Sequence, residues 1–222
     1  MSRIEKIQSP WSRWHERLHK TLKKKTNLLP SGACLLLSIS GGQDSMALLQ
    51  LMVDLERLHK WKLHIWHGNH KWHKKSDQFA EELKKWCEEK NLCFYYDEAN
   101  KTLKKTEQEA RSWRYSSLIK TANFISSQNT HNPCNHVLTA HTSSDRAETI
   151  LFNLARGSDL AGLTSLRQKR GLTNSIELIR PLLGFNRKET AEICNELGLP
   201  IWLDPSNQDL NLSRNKIRHS VL

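Results

Sequence analysis

Six consecutive residues, Ser40-Gly41-Gly42-Gln43-Asp44-Ser45, combine features that suit a phosphate group. Two glycines let the backbone turn tightly and bring bare N–H groups against an anion. Ser40 and Ser45 can donate hydroxyl hydrogens, and Asp44 offers a hard carboxylate oxygen able to hold Mg²⁺ across phosphate oxygens. An apolar run precedes the loop and a helical pattern follows it, so the positive end of a helix dipole falls on the same spot. The loop lacks the lysine of a Walker motif and the third glycine of a dinucleotide fingerprint. A Gly-Gly turn capped by serine is the plain structural alternative.

Other candidates stand further along. Asp145 and Glu148, three apart, fall on one face of a helix that begins beyond a strand's carboxyl end. Negative side chains there suit ammonium groups, and a carboxylate can orient or deprotonate an amine; as ordinary acids of a helix N-terminus they need no function. Arg111 and Arg114 could grip a phosphate or a carboxylate, because the guanidinium fork matches both. Their plain reading is a surface helix with Glu–Arg pairs. His141 could touch adenine or ribose, or be a packed core histidine. His67 and His70 could line a nucleotide site, and nothing in the sequence supplies the further ligands of a metal site. Lys71, Lys74 and Lys75 beside Trp72 could meet RNA, or form a solvated loop. Arg180, Asn207, Arg214, Asn215 and Arg218 are read as a group that closes the crevice or grips a polyanion.

These residues must be positioned by alternating strands and helices. Residues 1–30 read as a basic amphipathic helix, with Trp11, Trp14, Leu18 and Leu22 as its docking stripe. Strands are predicted at Ala33–Ser40, Leu63–Trp66, Leu92–Tyr96, His136–Ala140 and Glu177–Ile179. Helices are predicted at Asp44–Lys60, Ser76–Lys90, about Thr106 to Phe124, and Ser144–Arg156. Ser126–Asn135 reads as a loop. Asn186 and Glu189 make a capping box for a further helix, which Gly198 stops. The result is an α/β protein, a doubly wound, mostly parallel five-stranded sheet with flanking helices. The expected organisation is an N-terminal basic helix at 1–30 packing on the domain, a catalytic domain at 31–211, and at 212–222 the start of a linker helix to a further domain.

The 222 residues carry 34 Lys+Arg against 23 Asp+Glu, a net charge of +11, and the pI is about 9.6. Such a field concentrates polyanions, with nucleic acid the abundant candidate. A content of 37% hydrophobic and 26% charged residues suits a globular chain and excludes a disordered one. No apolar stretch is long enough to span a bilayer. The N-terminus has no apolar core and carries Glu5 and Glu16, so a cytoplasmic protein is expected. The five scattered cysteines form no C-x-x-C pair and are expected to be reduced.

The S-G-G-x-D-S loop after an apolar strand resembles the PP-loop of the N-type ATP pyrophosphatases, with an adenine nucleotide alpha hydrolase-like fold. Further segments are similar to the tRNA(Ile)-lysidine synthetase family. They are Glu109–Tyr115, His136–Thr149 with Asn153–Gly157 and Ala161–Leu163, Ile179–Leu183, and Asp204–Asn207 leading to Arg214–His219. The family often has two adjacent acids where this chain has Ser144 and Asp145, and often Gln where it has Arg146.

The resemblance implies ATP and Mg²⁺ as cofactors, with Ser40, Gly41, Gly42, Gln43, Asp44, Ser45, His67 and His141 around the nucleotide and Asp44 as metal ligand. It implies catalytic roles for Asp44, Asp145, Glu148 and Arg111. Arg114, Asp145, Glu148, Arg180, Arg214 and Arg218 would meet lysine or tRNA. The reaction implied is adenylation of carbon 2 of the wobble cytidine in a CAU-anticodon tRNA(Ile). Free L-lysine then displaces AMP. Other PP-loop enzymes are the alternatives, a tRNA thiolase or a small-molecule ligase such as NAD synthetase. A non-catalytic tRNA-binding module is the alternative of another class.

Overall fold

The computed structural model describes residues 11–100, 106–157 and 166–202. Six strands form one sheet: β1 (Cys34–Ser38), β2 (Lys62–Asn69), β3 (Cys93–Glu98), β4 (His136–Thr139), β5 (Lys169–Gly171) and β6 (Glu177–Ile179). Their spatial order is β3-β2-β1-β4-β6-β5. Every neighbouring pair is parallel except β5 with β6. The helices are α1 (Arg13–Lys24), α2 (Gln43–His59), α3 (Ser76–Glu89), α4 (Glu107–Gln128), α5 (Ser143–Ala155) and α6 (Arg187–Glu196), with a 3-10 turn at Pro181–Gly184.

β1 shows why the sheet is covered on both faces. Its residues alternate in direction, and nearly all are buried. Leu35 and Leu37 enter the larger core with Leu18 and Leu22 of α1, Met46 and Leu49 of α2, and Ile193 of α6. Cys34 and Leu36 enter a smaller core with Leu118, Ala122 and Ile125 of α4. Each leucine buried this way contributes about 1.5–3 kcal/mol relative to exposure, which explains the continuous apolar run. From β1 the chain winds through β2 to β3 on one side, while β4 and β6 lie on the other. The switch point therefore falls between β1 and β4, and in open sheets of this kind ligands bind beyond the strand ends at that point.

Three features depart from the sequence reading. The sheet has six strands rather than five: β5 is a short Lys-Arg-Gly strand, antiparallel to β6, in a hairpin closed by Leu172 N–H donating to the Ile176 carbonyl at 2.8 Å. α4 runs on to Gln128, into the polar stretch expected to be a loop. The Ser126 and Ser127 hydroxyls donate back to the Ala122 and Phe124 carbonyls, so they are satisfied within the helix rather than in a turn. Trp11 is 56% exposed and precedes the Ser12 cap of α1, whereas Trp14, Leu18 and Leu22 are buried.

α1 is bound to two neighbours. His15 Nε2 meets Asp54 of α2 at 2.9 Å. Trp14 Nε1 donates to Glu196 of α6 at 2.8 Å, and Arg17 pairs with Glu189 at 2.5 Å. The expected segment at 212–222 lies outside the described residues.

Candidate active site

The loop expected to bind phosphate sits at the switch point. Ile39 N–H donates to the Trp66 carbonyl at 2.9 Å, so pairing between β1 and β2 holds the chain up to the loop itself. Gly41 then adopts φ +85°, a conformation that glycine takes without penalty. Gly42 is the N-cap of α2, and no side chain caps that end. The 17-residue helix thus presents its first N–H groups and its positive dipole end openly. Within the loop, Ser45 Oγ donates to the Gly42 carbonyl at 2.7 Å and Ser40 Oγ meets Ser45 Oγ at 3.2 Å. The backbone N–H of Trp202 donates to the Gly41 carbonyl at 3.0 Å, and the Trp202 indole donates to Glu82.

α6 supplies contacts that the sequence reading missed. Gln43 donates its amide hydrogens to the Arg187 carbonyl at 2.7 Å and to Thr190 Oγ1 at 2.8 Å. Asp44 accepts from the Thr190 hydroxyl. The Arg187 guanidinium lies 3.7 Å from Asp44 and 3.6 Å from Glu148, whose side chain is 4% exposed. One cation therefore bridges the loop acid and the buried acid of α5. The capping box at Asn186 and Glu189 starts α6 and places Arg187 and Thr190 one turn apart on one face. Ser144, at the position where an acid is often found, accepts the Arg187 N–H at 3.1 Å and so ties α5 to α6.

Asp145 and Glu148 are separated in role. Asp145 caps its own helix, accepting from Thr142 N–H at 2.7 Å and the Thr142 hydroxyl at 2.9 Å. Glu148 is buried and faces Arg187.

Two histidines flank the loop and the α5 start. His67, at the end of β2, is buried and donates from Nδ1 to the Ile39 carbonyl at 2.8 Å. Burial lowers its pKa, so the ring is neutral and Nε2 is left as the acceptor. His141 Nδ1 meets Thr139 Oγ1 at 2.9 Å. Burial pushes its pKa down to about 3, and Arg180, Arg114 and Arg111 act in the same direction against the pull of Asp145. No group of three or more His, Cys, Asp or Glu among the described residues is arranged to hold a metal ion.

Beside His141 the structure gathers arginines around Tyr115. Arg111 and Arg170 stand over its ring at 5.2 and 4.9 Å. Arg180 is fully buried and donates to the Arg167 carbonyl at 2.5 Å. Its Nε and that of Arg170 are buried without a hydrogen-bond partner among the described residues. Burial lowers the pKa of Arg114 and of Arg180. The Tyr115 phenol is also held low, because Arg111, Arg170 and Arg180 together outweigh its burial. Among the described residues no carboxylate forms an ion pair with Arg111, Arg114, Arg170 or Arg180. Arg180 is buried and the other three are half-buried, and a buried cation left in this state favours an anion. Arg170 was not foreseen from sequence. Arg214, Arg218, Asn207 and Asn215 lie outside the described residues.

Among the other expected contacts, Lys71 is drawn to Asp77 and Glu98 at 3.1 Å. His70 packs edge-on against Trp113 at 4.6 Å and tilted against Trp72 at 5.2 Å.

Residues 12–222 match the family model of the PP-loop domain. The chain is 54% identical over 222 residues to the tRNA(Ile)-lysidine synthase of Prochlorococcus marinus strain SARG. It is 57% identical over 206 residues to that of Prochlorococcus marinus strain NATL1A. These matches cover 100% and 93% of the chain, which spans 66% and 63% of the two relatives. Among solved structures, U34-tRNA thiolase NcsA from Methanococcus maripaludis superposes with a TM-score of 0.64 at 16% identity. That match covers 92% of this chain and 75% of the other, and is a likeness of fold.

Proposed function

The chain belongs to the PP-loop domain family, and from that premise we propose that it is the ATP-using part of a tRNA(Ile)-lysidine synthase. The observation that carries the phosphate half is the uncapped start of α2 behind Gly41 and Gly42, with Asp44 and Glu148 joined through Arg187. What supports the acceptor is the similarity to relatives that bear that name.

In the proposed reaction the carbonyl oxygen on carbon 2 of the wobble cytidine attacks the α-phosphorus of ATP, and pyrophosphate leaves. An amine of lysine then attacks carbon 2, and AMP departs with the carbonyl oxygen. The α2 N–H groups and the hydroxyls of Ser40 and Ser45 hold the charge that builds on pyrophosphate. The donor set here, one carboxylate with neighbouring hydroxyls and substrate phosphates, fits Mg²⁺. Asp44 would hold the ion, which neutralises phosphate charge when bound. Neutral His67 and His141 accept or donate to the adenosine without adding charge. The arginines around Tyr115 take the carboxylate of lysine. Glu148, with Asp145, receives its ammonium groups, and a carboxylate there accepts the proton that the attacking amine sheds. Arg214 and Arg218 are assigned to tRNA.

The domain limits proposed are an N-terminal basic segment at 1–30 whose helix α1 packs on the domain, a catalytic domain at 31–211 and the start of a linker helix at 212–222, in a cytoplasmic protein. Among the described residues no helix is long and apolar enough to cross a membrane. A thiolase is disfavoured because such enzymes commonly use catalytic or cluster-binding cysteines, often as C-x-x-C, and the five cysteines here form no such pair.

The test is incubation with CAU-anticodon tRNA(Ile) transcript, ATP, Mg²⁺ and labelled lysine, followed by mass spectrometry of the nucleosides. Label entering tRNA only when ATP is present, with the cytidine gaining the mass of lysine less water, is the expected result. Pyrophosphate release with no lysine transfer points to another acceptor and overturns the reading.

A further inference from the structure

On the flank of the domain lies a cavity of about 460 Å³ between α1, the start of α5, the 3-10 turn and the segment before β5. Arg17, Lys25, Arg146 and Arg167 line it, and among the described residues no acid does. Its floor is apolar, with Leu183 and Phe185 both buried. Arg17 pairs with Glu189, and Lys25 donates to the Gln168 side chain at 2.6 Å. Arg146 and Arg167 are exposed, and among the described residues no carboxylate pairs with either. The structure thus holds four positive side chains around one concave surface, three of them with no counter-charge among the described residues.

We propose that this cavity binds the phosphodiester backbone of the RNA substrate. The inference rests on the reading that the acceptor is a tRNA. It adds a positioning surface separate from the Ser40–Ser45 loop and from the arginines around Tyr115. The spread of the charges selects a polyanion over a single phosphate. Arg17, Thr21 and Lys25 recur every four residues along α1, so at about 1.5 Å per residue they form a stripe roughly 12 Å long. One phosphate cannot reach both ends, whereas successive phosphates of a strand can. Exposed cations on long stems suit backbone contact, which fixes register without reading sequence. The place fits too. Ser143 N–H donates to the Phe185 carbonyl at 2.7 Å, so the cavity wall is joined to the first residue of α5. Arg146 follows Asp145 directly, and the two side chains leave the helix about 100° apart. A strand held here passes over the rim of the crevice where Asp145 stands.

The experiment compares the parent chain with Arg146→Gln/Arg167→Gln and with Arg146→Lys/Arg167→Lys. Affinity for tRNA(Ile) transcript is measured from 50 to 300 mM salt, and ATP affinity in parallel. Each backbone phosphate neutralised by a cation contributes roughly 0.7–0.9 to the slope of log K against log salt. The Gln pair should therefore lose about 1.5 from that slope and bind tRNA roughly tenfold more weakly at low salt. The Lys pair should keep the parental slope, and all three should bind ATP equally. Thermal unfolding within 2 °C of the parent shows that the fold is kept. A Gln pair with unchanged slope and affinity overturns the proposal, as does a Lys pair that behaves like the Gln pair. If the parent modifies tRNA while the Gln pair binds it normally, the cavity inference alone fails. If the parent binds no tRNA and transfers no lysine, the acceptor reading fails with it.

Discussion

Replacing Gly41 with alanine loads two costs onto one carbon atom. The backbone there sits at φ +85°, and holding an L-residue in the left-handed region costs roughly 1–2 kcal/mol. A Cβ at that position would also lie 2.9 Å from Cε3 of Trp202, closer than real carbon contacts. Trp202 cannot simply swing aside, because its indole is held by Glu82 and its N–H by the Gly41 carbonyl. Overpacking of this kind costs about 1–3 kcal/mol. If about 2 kcal/mol of the total falls on the phosphate-binding conformation, ATP affinity drops about 30-fold. Calorimetric titration of ATP with Mg²⁺ measures this directly for Gly41→Ala, Trp202→Ala and the double variant. The double variant should recover the steric part and keep the backbone part, so it binds more tightly than Gly41→Ala and more weakly than Trp202→Ala. A Gly41→Ala chain that binds ATP within twofold of the parent would refute the assignment of this turn to phosphate.

Three further outcomes are expected. Asp44→Asn should abolish AMP formation while leaving tRNA binding within about twofold, as read by pyrophosphate release and filter binding; normal turnover would remove the metal role. Arg187→Gln should remove the cation that Asp44 and Glu148 share, and kcat should fall roughly 10- to 100-fold, a loss of about 1.4–2.7 kcal/mol; an unchanged kcat would show that the bridge is idle. His141 has a native pKa near 3, far below the ordinary histidine value of 6.5. Above pH 6.5 its neutral form costs nothing extra. As pH falls toward 3 the unfolded chain gains a proton that the native state refuses, so stability declines. His141→Gln should lose less of its urea midpoint between pH 7 and pH 4 than the parent, and an equal loss would contradict the assignment.

The loop and its setting were legible because each part carries a local signal. β1 is an unbroken apolar run, Gly41 and Gly42 mark the turn, and the amphipathic pattern of α2 begins at once. Long-range partners carry no such signal. Asp44 meets Thr190 across 146 positions, a contact set by how α6 docks and not by any residue near either of them. The capping box at Asn186 did announce the helix, and from it Arg187 and Thr190 could have been placed on one face. β5 was illegible because Lys-Arg-Gly has no alternating apolar pattern; its pairing is imposed by β6 and the hairpin between them. Arg111 and Arg114 were singled out as a pair and Arg180 with a C-terminal group, and only the meeting of α4, β5 and β6 around Tyr115 shows Arg170 beside them. Asp145 and Glu148 were read as an equivalent pair on helical spacing. Thr142 then claims Asp145 as a cap, while burial and Arg187 set Glu148 apart.

The Thr190 hydroxyl has one hydrogen and two acceptors within reach, the Asp44 carboxylate and the Arg187 carbonyl at 2.9 Å, while it accepts from Gln43 at 2.8 Å. Rotation about a single C–O bond moves the hydrogen from one acceptor to the other and leaves the Gln43 contact in place. When Asp44 turns its oxygen to a cation, no donor is stranded, so its recruitment avoids the roughly 1–3 kcal/mol that an orphaned buried group would cost. The acid is thereby held in place before use and released without penalty. A serine at this position would keep that property, and a valine would leave Gln43 without an acceptor there and remove one donor from Asp44.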